Sequence, residues 1–132
     1  MHGTIDPDTV RPIVLVAEDE FLVAADLAET VEVSGFTVDG PYPTLSSADD
    51  ALGAQRPDCA LLDVRLADAE VFPLADKLRD ADVPIVFHSG HLTAAEIVDR
   101  YPGARLCTKP CPPDHLMNAL NLAMEQAHPQ AA

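Results

Sequence analysis

Five residues carry side chains that together could handle a phosphoryl group: the carboxylates of Glu18, Asp19 and Asp63, the hydroxyl of Ser89 and the ammonium of Lys109. Three carboxylates gathered in a partly buried crevice repel one another, and leaving them without a counter-charge is costly. A hard divalent cation removes that repulsion. Mg²⁺ (or Mn²⁺) takes oxygen ligands, and Mg²⁺ keeps several of its waters, so two or three protein carboxylates suffice. Such an ion would screen an incoming phosphoryl group from Asp63, whose carboxylate could then act as nucleophile. Lys109 offers a point charge and Ser89 a hydrogen bond to the phosphoryl oxygens, while Gly90 leaves the approach open. Taken singly these signals are weak, because an acidic run such as 18–20 reads as a solvated loop and an Asp after a strand reads as a cap. Their weight comes from where the elements put them.

Residues 12–17 (PIVLVA) form a continuous β-branched run, as in a strand buried on both faces, and Glu18 and Asp19 follow at once. A helix is predicted over 21–34, with Val23, Leu27 and Val31 at i, i+4 spacing and Gly35 as its terminator. A weaker strand spans 36–42. Ser46 and Asp49 have capping-box spacing for a short helix that Pro57 ends. The run 59–62 (CALL) leads straight into Asp63, and Pro73 places the next helix at about 71–81. The run 83–88 (VPIVFH) ends at Ser89-Gly90, and Thr93 with Glu96 caps a short helix that stops before Tyr101. A fifth strand over 104–108 delivers Lys109. Pro112-Pro113-Asp114 then opens a final helix with Leu116, Leu120 and Met124 on one face. Five β-α units in strict alternation imply a parallel sheet covered by helices on both faces. Ligands of such sheets bind beyond the carboxyl ends of the strands, where four strand ends here bring the polar residues together.

The 132 residues fit one domain, expected over 12–127, with an irregular lead-in at 1–11 and a short tail at 128–132. A hydrophobic content of 48% is ample for a core. With 8 basic and 22 acidic residues the net charge is −14, which repels phosphate backbones and anionic lipid, so neither nucleic acid nor membrane is an expected partner. No apolar run has the length of a membrane span and the start lacks signal-peptide character, so the expected location is cytoplasmic. Cys59, Cys107 and Cys111 make an odd set in a reducing compartment, for which no disulfide is expected. A metal or redox group drawn from Cys107, Cys111, His88, His91 and His115 has spacing unlike a zinc knuckle. Cys59 and Cys107 instead read as small buried hydrophobes.

Over about residues 12–126 the chain resembles the receiver domains of two-component response regulators, of the stand-alone single-domain type. The motifs that carry the resemblance are Glu18-Asp19 after the first strand, Asp63 in LLDVRL, Ser89 after the fourth strand and Lys109-Pro110 after the fifth. The resemblance implies a flavodoxin-like, doubly wound five-stranded parallel sheet with strand order 2-1-3-4-5. It implies phosphorylation at Asp63 with Ser89 and Lys109 as the groups that meet the phosphoryl oxygens. It also implies Mg²⁺ held by Glu18, Asp19, Asp63 and the backbone carbonyl of Arg65, and a cis bond before Pro110. Arg65, Gly90 and His91 are placed as modulators. Three departures bear on output. The switch position three residues before the lysine, often aromatic, is Leu106; the residue after Lys-Pro is Cys111; and the loop 66–70 has neither Pro nor Gly.

The function implied is that of a signalling phosphoacceptor, catalytic only toward its own phosphorylation and dephosphorylation. Its donor would be a histidine kinase or histidine phosphotransfer protein. Its output would be phosphorylation-dependent binding of a downstream protein at the fourth helix, fifth strand and final helix, the protein being a monomer or weak dimer. A haloacid-dehalogenase-type phosphatase uses similar groups but wants a general acid two residues after the nucleophile, where Arg65 stands, and there is no room for a lid domain. The alternative kept open is a pseudo-receiver that binds partners without phosphate.

Overall fold

The computed structural model describes residues 11–90 and 92–127. Its elements alternate without exception: β1 (Ile13–Ala17), α1 (Phe21–Val33), β2 (Thr37–Tyr42), α2 (Leu45–Ala54), β3 (Cys59–Asp63), α3 (Phe72–Asp80), β4 (Ile85–Ser89), α4 (Ala94–Val98), β5 (Arg105–Thr108) and α5 (Pro113–Ala127). All five strands are parallel and lie in the order β2-β1-β3-β4-β5. The doubly wound sheet is therefore the one expected. β3 and β4 are buried along their whole length, which is why their sequences are apolar up to Asp63 in β3 and up to His88 and Ser89 in β4. Alternation then sends side chains to two separate cores. Leu15, Leu62, Leu74, Leu78 and Phe87 pack under α2, α3 and α4, while Val16, Leu61, Val86, Leu116 and Leu120 pack under α1 and α5. Among the described residues no helix is long and apolar enough to cross a membrane.

The register of the strands decides where their ends fall. Ala17 pairs with Leu62, Asp63 with His88, and Ser89 with Thr108, so Glu18, Asp63, Ser89 and Lys109 emerge at one level. β2 is tied to that level at Gly40, whose φ is +117°. A Cβ there would come within 2.7 Å of the Val16 carbonyl oxygen and 2.9 Å of the Tyr42 nitrogen, so only glycine fits. Tyr42 in turn accepts the backbone N–H of Glu18 at 3.0 Å.

Below the site, an aromatic group joins β4 to the end of α4. The Tyr101 ring lies 5.3 Å from Phe87 and stacks on Phe72 at 6.2 Å, with the guanidinium groups of Arg79 and Arg100 over its faces. Its hydroxyl donates to Asp76 at 2.6 Å. Tyr101 is almost completely buried.

Two expectations are corrected. α2 starts at Leu45, not after Ser46: Thr44 is the cap, its hydroxyl accepting from the Ser47 N–H at 3.0 Å while Ser47 reaches back to the Thr44 N–H at 3.4 Å. The carboxylate of Asp68, from the loop after β3, takes the N–H groups of Leu45 and Ser46 and fixes that choice. The expected absence of a disulfide is also corrected, because Cys107 and Cys111 are bonded. The turn through Lys109 brings their Cα atoms to 5.7 Å, inside the range a disulfide spans. Cys59 is free and buried, as read. Smaller shifts concern α3, β2 and β5, each shorter than predicted by one or two residues.

Candidate functional site

Glu18 leaves β1 pointing into the sheet, where its side chain is fully buried. Its Oε2 accepts the N–H of Glu20, the residue that leads into α1. Its Oε1 lies 3.4 Å from the Lys109 ammonium and 3.8 Å from Nδ1 of His88. Asp63 ends β3 nearly buried, with Oδ2 3.3 Å from the same ammonium. Asp19 is exposed at the rim. Ligand oxygens of Glu18, Asp19 and Asp63 all lie within 4.8 Å of one another. That grouping, with a single lysine facing two of three carboxylates, leaves an excess of negative charge that a hard cation fits.

The electrostatics carry the same imprint. Burial, together with repulsion from Glu18, pushes the Asp63 carboxyl up to about 6 even though Lys109 pulls it down. Burial acts on Glu18 in the same sense, but the neighbouring His88 imidazole, the Glu20 N–H, Asp63 and Lys109 outweigh it and hold Glu18 at about 2. Burial works against the Lys109 ammonium, yet the attraction of Asp63 and Glu18 wins and raises its pKa. The two carboxyls therefore have unequal tasks: Glu18 is a fixed anion, and Asp63 is the more basic and more nucleophilic of the two.

A cavity of about 210 Å³ opens over Asp63, lined by Asp19, Val64, Arg65, Ser89, Gly90 and Lys109. Ser89 is buried and its hydroxyl accepts the N–H of Leu92 at 3.3 Å. Its carbonyl accepts the Lys109 N–H, which locks the ends of β4 and β5 together. A Cβ on Gly90 would approach Lys109 no closer than 3.7 Å, so this position is open without being sterically required. The Lys109–Pro110 bond is cis. Arg65 is exposed on the cavity wall, and the loop beyond it closes through a bridge between Arg65 and Glu70 and a bond from Val71 N–H to the Val64 carbonyl. Leu106 is half-buried against the Phe87 core. His91 lies outside the described residues.

Of the residues expected at the site, Glu18, Asp19, Asp63, Ser89, Lys109 and the modulators Arg65 and Gly90 come together. Leu106 and Pro110 belong to the neighbouring β5 segment. The sequence considered alone brings in His88 only as one of a metal or redox group whose spacing is unlike a zinc knuckle, and gives it no place at this site. Its imidazole is buried on the Glu18 side of the sheet, and its Nδ1 has no hydrogen-bond partner. A buried polar atom left unpaired costs about 1–3 kcal/mol, so its presence calls for a reason. The available signal was a lone polar residue inside VPIVFH.

Comparison with known proteins agrees with this geometry. The family model described as "Response regulator receiver domain" matches residues 14–121. The phyllosphere-induced regulator PhyR of Methylorubrum extorquens is 31% identical over 114 residues, which are 84% of this chain and 43% of that protein. The chain thus spans less than half of the curated relatives it matches. The crystal structure of the response regulator PhyR from Brucella abortus superposes with a TM-score of 0.75 at 26% identity, over 90% of this chain and 53% of that one. The signal receiver domain of an HD domain-containing protein from Pseudomonas fluorescens Pf-5 superposes at 0.80 with 17% identity, over 94% of each chain, a likeness of fold.

Proposed function

This chain belongs to the response regulator receiver domain family, and on that premise we propose that it is a Mg²⁺-dependent phosphoacceptor whose nucleophile is Asp63. The observation that carries the reading is the pairing of Lys109 with both Asp63 and Glu18 inside a group of three carboxylates at the strand ends. In the transfer, an Asp63 carboxylate oxygen bonds to the phosphorus of a phosphohistidine. The phosphorus–nitrogen bond breaks and the imidazole departs with its electron pair. Glu18, Asp19, Asp63 and the Arg65 carbonyl would hold the cation, which would neutralise the phosphoryl charge. Lys109 turns from the carboxylates to the phosphoryl oxygens, and the Ser89 hydroxyl exchanges Leu92 for one of them. Strand ends buried in two cores hold these groups still, which is what positioning requires.

A protein donor must cover the cavity rim to reach Asp63. Next to that rim, sharing Asp19 with it, is a groove lined by Ala24, Ala25, Ala28 and Phe21, whose ring is 83% exposed. Exposed apolar side chains next to a polar site favour a docking helix. The donor is a histidine kinase or a histidine phosphotransfer protein, in the cytoplasm. Output runs through a downstream protein that reads α4, β5 and α5.

Intact-mass measurement after incubation with acetyl phosphate and Mg²⁺ tests the reading. One phosphoryl adduct is expected on the wild type and none on Asp63→Asn. An adduct that persists in Asp63→Asn overturns the assignment, and no adduct on the wild type with either acetyl phosphate or phosphoramidate leaves the pseudo-receiver.

A further inference from the structure

We propose that His88 is a positioning residue of the phosphoacceptor site, the hydrogen-bond donor that takes over Glu18 when Lys109 leaves it. The inference rests on the proposed cation site at Glu18, Asp19 and Asp63. Glu18 is fully buried, and its Oε2 is already committed to the Glu20 N–H. Its Oε1 has Lys109 as its nearest charged partner, at 3.4 Å. A divalent cation seated on Glu18 and Asp63 repels that same ammonium, and the phosphoryl group then needs it. Once Lys109 turns away, Glu18 keeps the cation but Oε1 loses its hydrogen-bond donor in a place that water does not reach, and a buried carboxylate oxygen short of a donor is disfavoured.

Nδ1 of His88 is the atom placed to take over. It lies 3.8 Å from Oε1, too far for a hydrogen bond as it stands, and is itself buried without a partner. A shift of about 1 Å would satisfy both atoms at once. The strand position gives no packing reason for an imidazole: Val86, on the same face two residues earlier, fills its place with an apolar side chain. With Nδ1–H on Oε1 and the Glu20 N–H on Oε2, the Glu18 carboxylate would have one donor on each oxygen while staying within the group it forms with Asp19 and Asp63. Groups that orient a metal-binding carboxylate in this way typically change metal affinity by about 10–100-fold when removed. The resting pairing of Lys109 and the waiting pairing of His88 thus make Glu18 a hand-over point between two donors.

The test uses Mg²⁺ alone, titrated calorimetrically into the full chain at one mildly alkaline pH. It compares wild type, Asp19→Asn, His88→Val, His88→Asn and His88→Gln, with amide NMR spectra recorded for each. The side-chain nitrogen of Asn falls where Nδ1 lies, whereas that of Gln falls near Nε2. His88→Val is expected to weaken Mg²⁺ about tenfold, His88→Asn to recover most of the loss, and His88→Gln to recover little. Wild-type affinity in His88→Val, with Asp19→Asn impaired, overturns the role of His88 and leaves the cation site standing. Equal weakening in the Asn and Gln variants overturns it also, since a donor at the Nδ1 place would then not matter, and this comparison decides the question if His88→Val does not fold. Unchanged affinity in Asp19→Asn overturns the cation site itself, and with it the inference.

Discussion

At the scale of single residues the site is an unequal pair of carboxyls, and that inequality has consequences in pH. The folded pKa of Asp63, about 6, lies above its ordinary 3.8, so the native state binds the proton more tightly than the unfolded chain. This group's contribution to stability is present below about pH 3.8 and is lost as pH rises through about 6. Glu18 runs the other way: at about 2 against an ordinary 4.5, it stabilises above about pH 4.5, and that support fades as pH falls toward 2. Asp63→Asn removes the charge that Glu18 repels, and we expect it to stabilise the metal-free protein by about 1–2 kcal/mol at neutral pH in urea titrations. A loss of stability would mean that the Lys109 pairing outweighs the repulsion. Because Mg²⁺ displaces the proton on Asp63, its affinity should climb about tenfold per pH unit below about 6 and level off above it. Calorimetry at pH 6 in two buffers of different ionisation heat should reveal the released proton, and a Kd that is flat from about pH 5 to about pH 7 would contradict this. Lys109→Ala and Ser89→Ala should fold yet shorten the life of the phosphoryl adduct, as time-resolved mass measurements would show. Wild-type lifetimes in both variants would remove these residues from the site.

At the scale of elements, the reading from sequence succeeded where one local pattern is decisive. β3 and β4 are buried on both faces, so largely apolar runs serve there, and each run ends at a residue proposed for the site. The start of α2 was not legible. Thr44 and Ser46 each offer a hydroxyl with a polar residue three positions on, and the choice between them depends on Asp68, 23 positions away from the Leu45 whose N–H it binds. The disulfide escaped because compartment and cysteine count say nothing about how a turn aims Cys107 and Cys111. His88 escaped because its neighbours are apolar and its partner Glu18 lies across the sheet. Gly40 also gave no sign of its role, since contacts with β1 rather than a turn motif require it. Gly40→Ala should lower stability by about 1–3 kcal/mol in urea titrations, through both its φ and the collision with Val16. Amide shifts should appear at Glu18, because Tyr42 carries that N–H. An unshifted Glu18 resonance would show that β2 is not what holds the site's edge.

At the scale of the whole molecule, two surfaces flank one cavity, and they should separate in experiment. Phe21→Ser should slow phosphoryl transfer from a phosphohistidine protein by about tenfold, as expected for an exposed apolar anchor, while leaving acetyl phosphate kinetics unchanged. An equal effect on both donors would place Phe21 in the chemistry rather than in docking. On the output side, beryllofluoride should move amide resonances over 92–100 and 104–114, and shifts confined to the surroundings of Asp63 would argue for a store of phosphate without a reader. The pattern within the first segment follows from the aromatic group beneath α4. Tyr101 is held by Phe72, Phe87 and Asp76 and by two guanidinium groups, and it anchors the far end of the helix through its N–H to the Ile97 carbonyl. Ser89, at the near end, accepts the Leu92 N–H and is the residue proposed to let go of it on phosphorylation. A short helix fixed at one end and released at the other does not slide; it swings about its foot. The displacement should then be largest at Leu92 and Thr93 and fade toward Tyr101, so that a partner reads an angle and the stacked rings serve as the fulcrum.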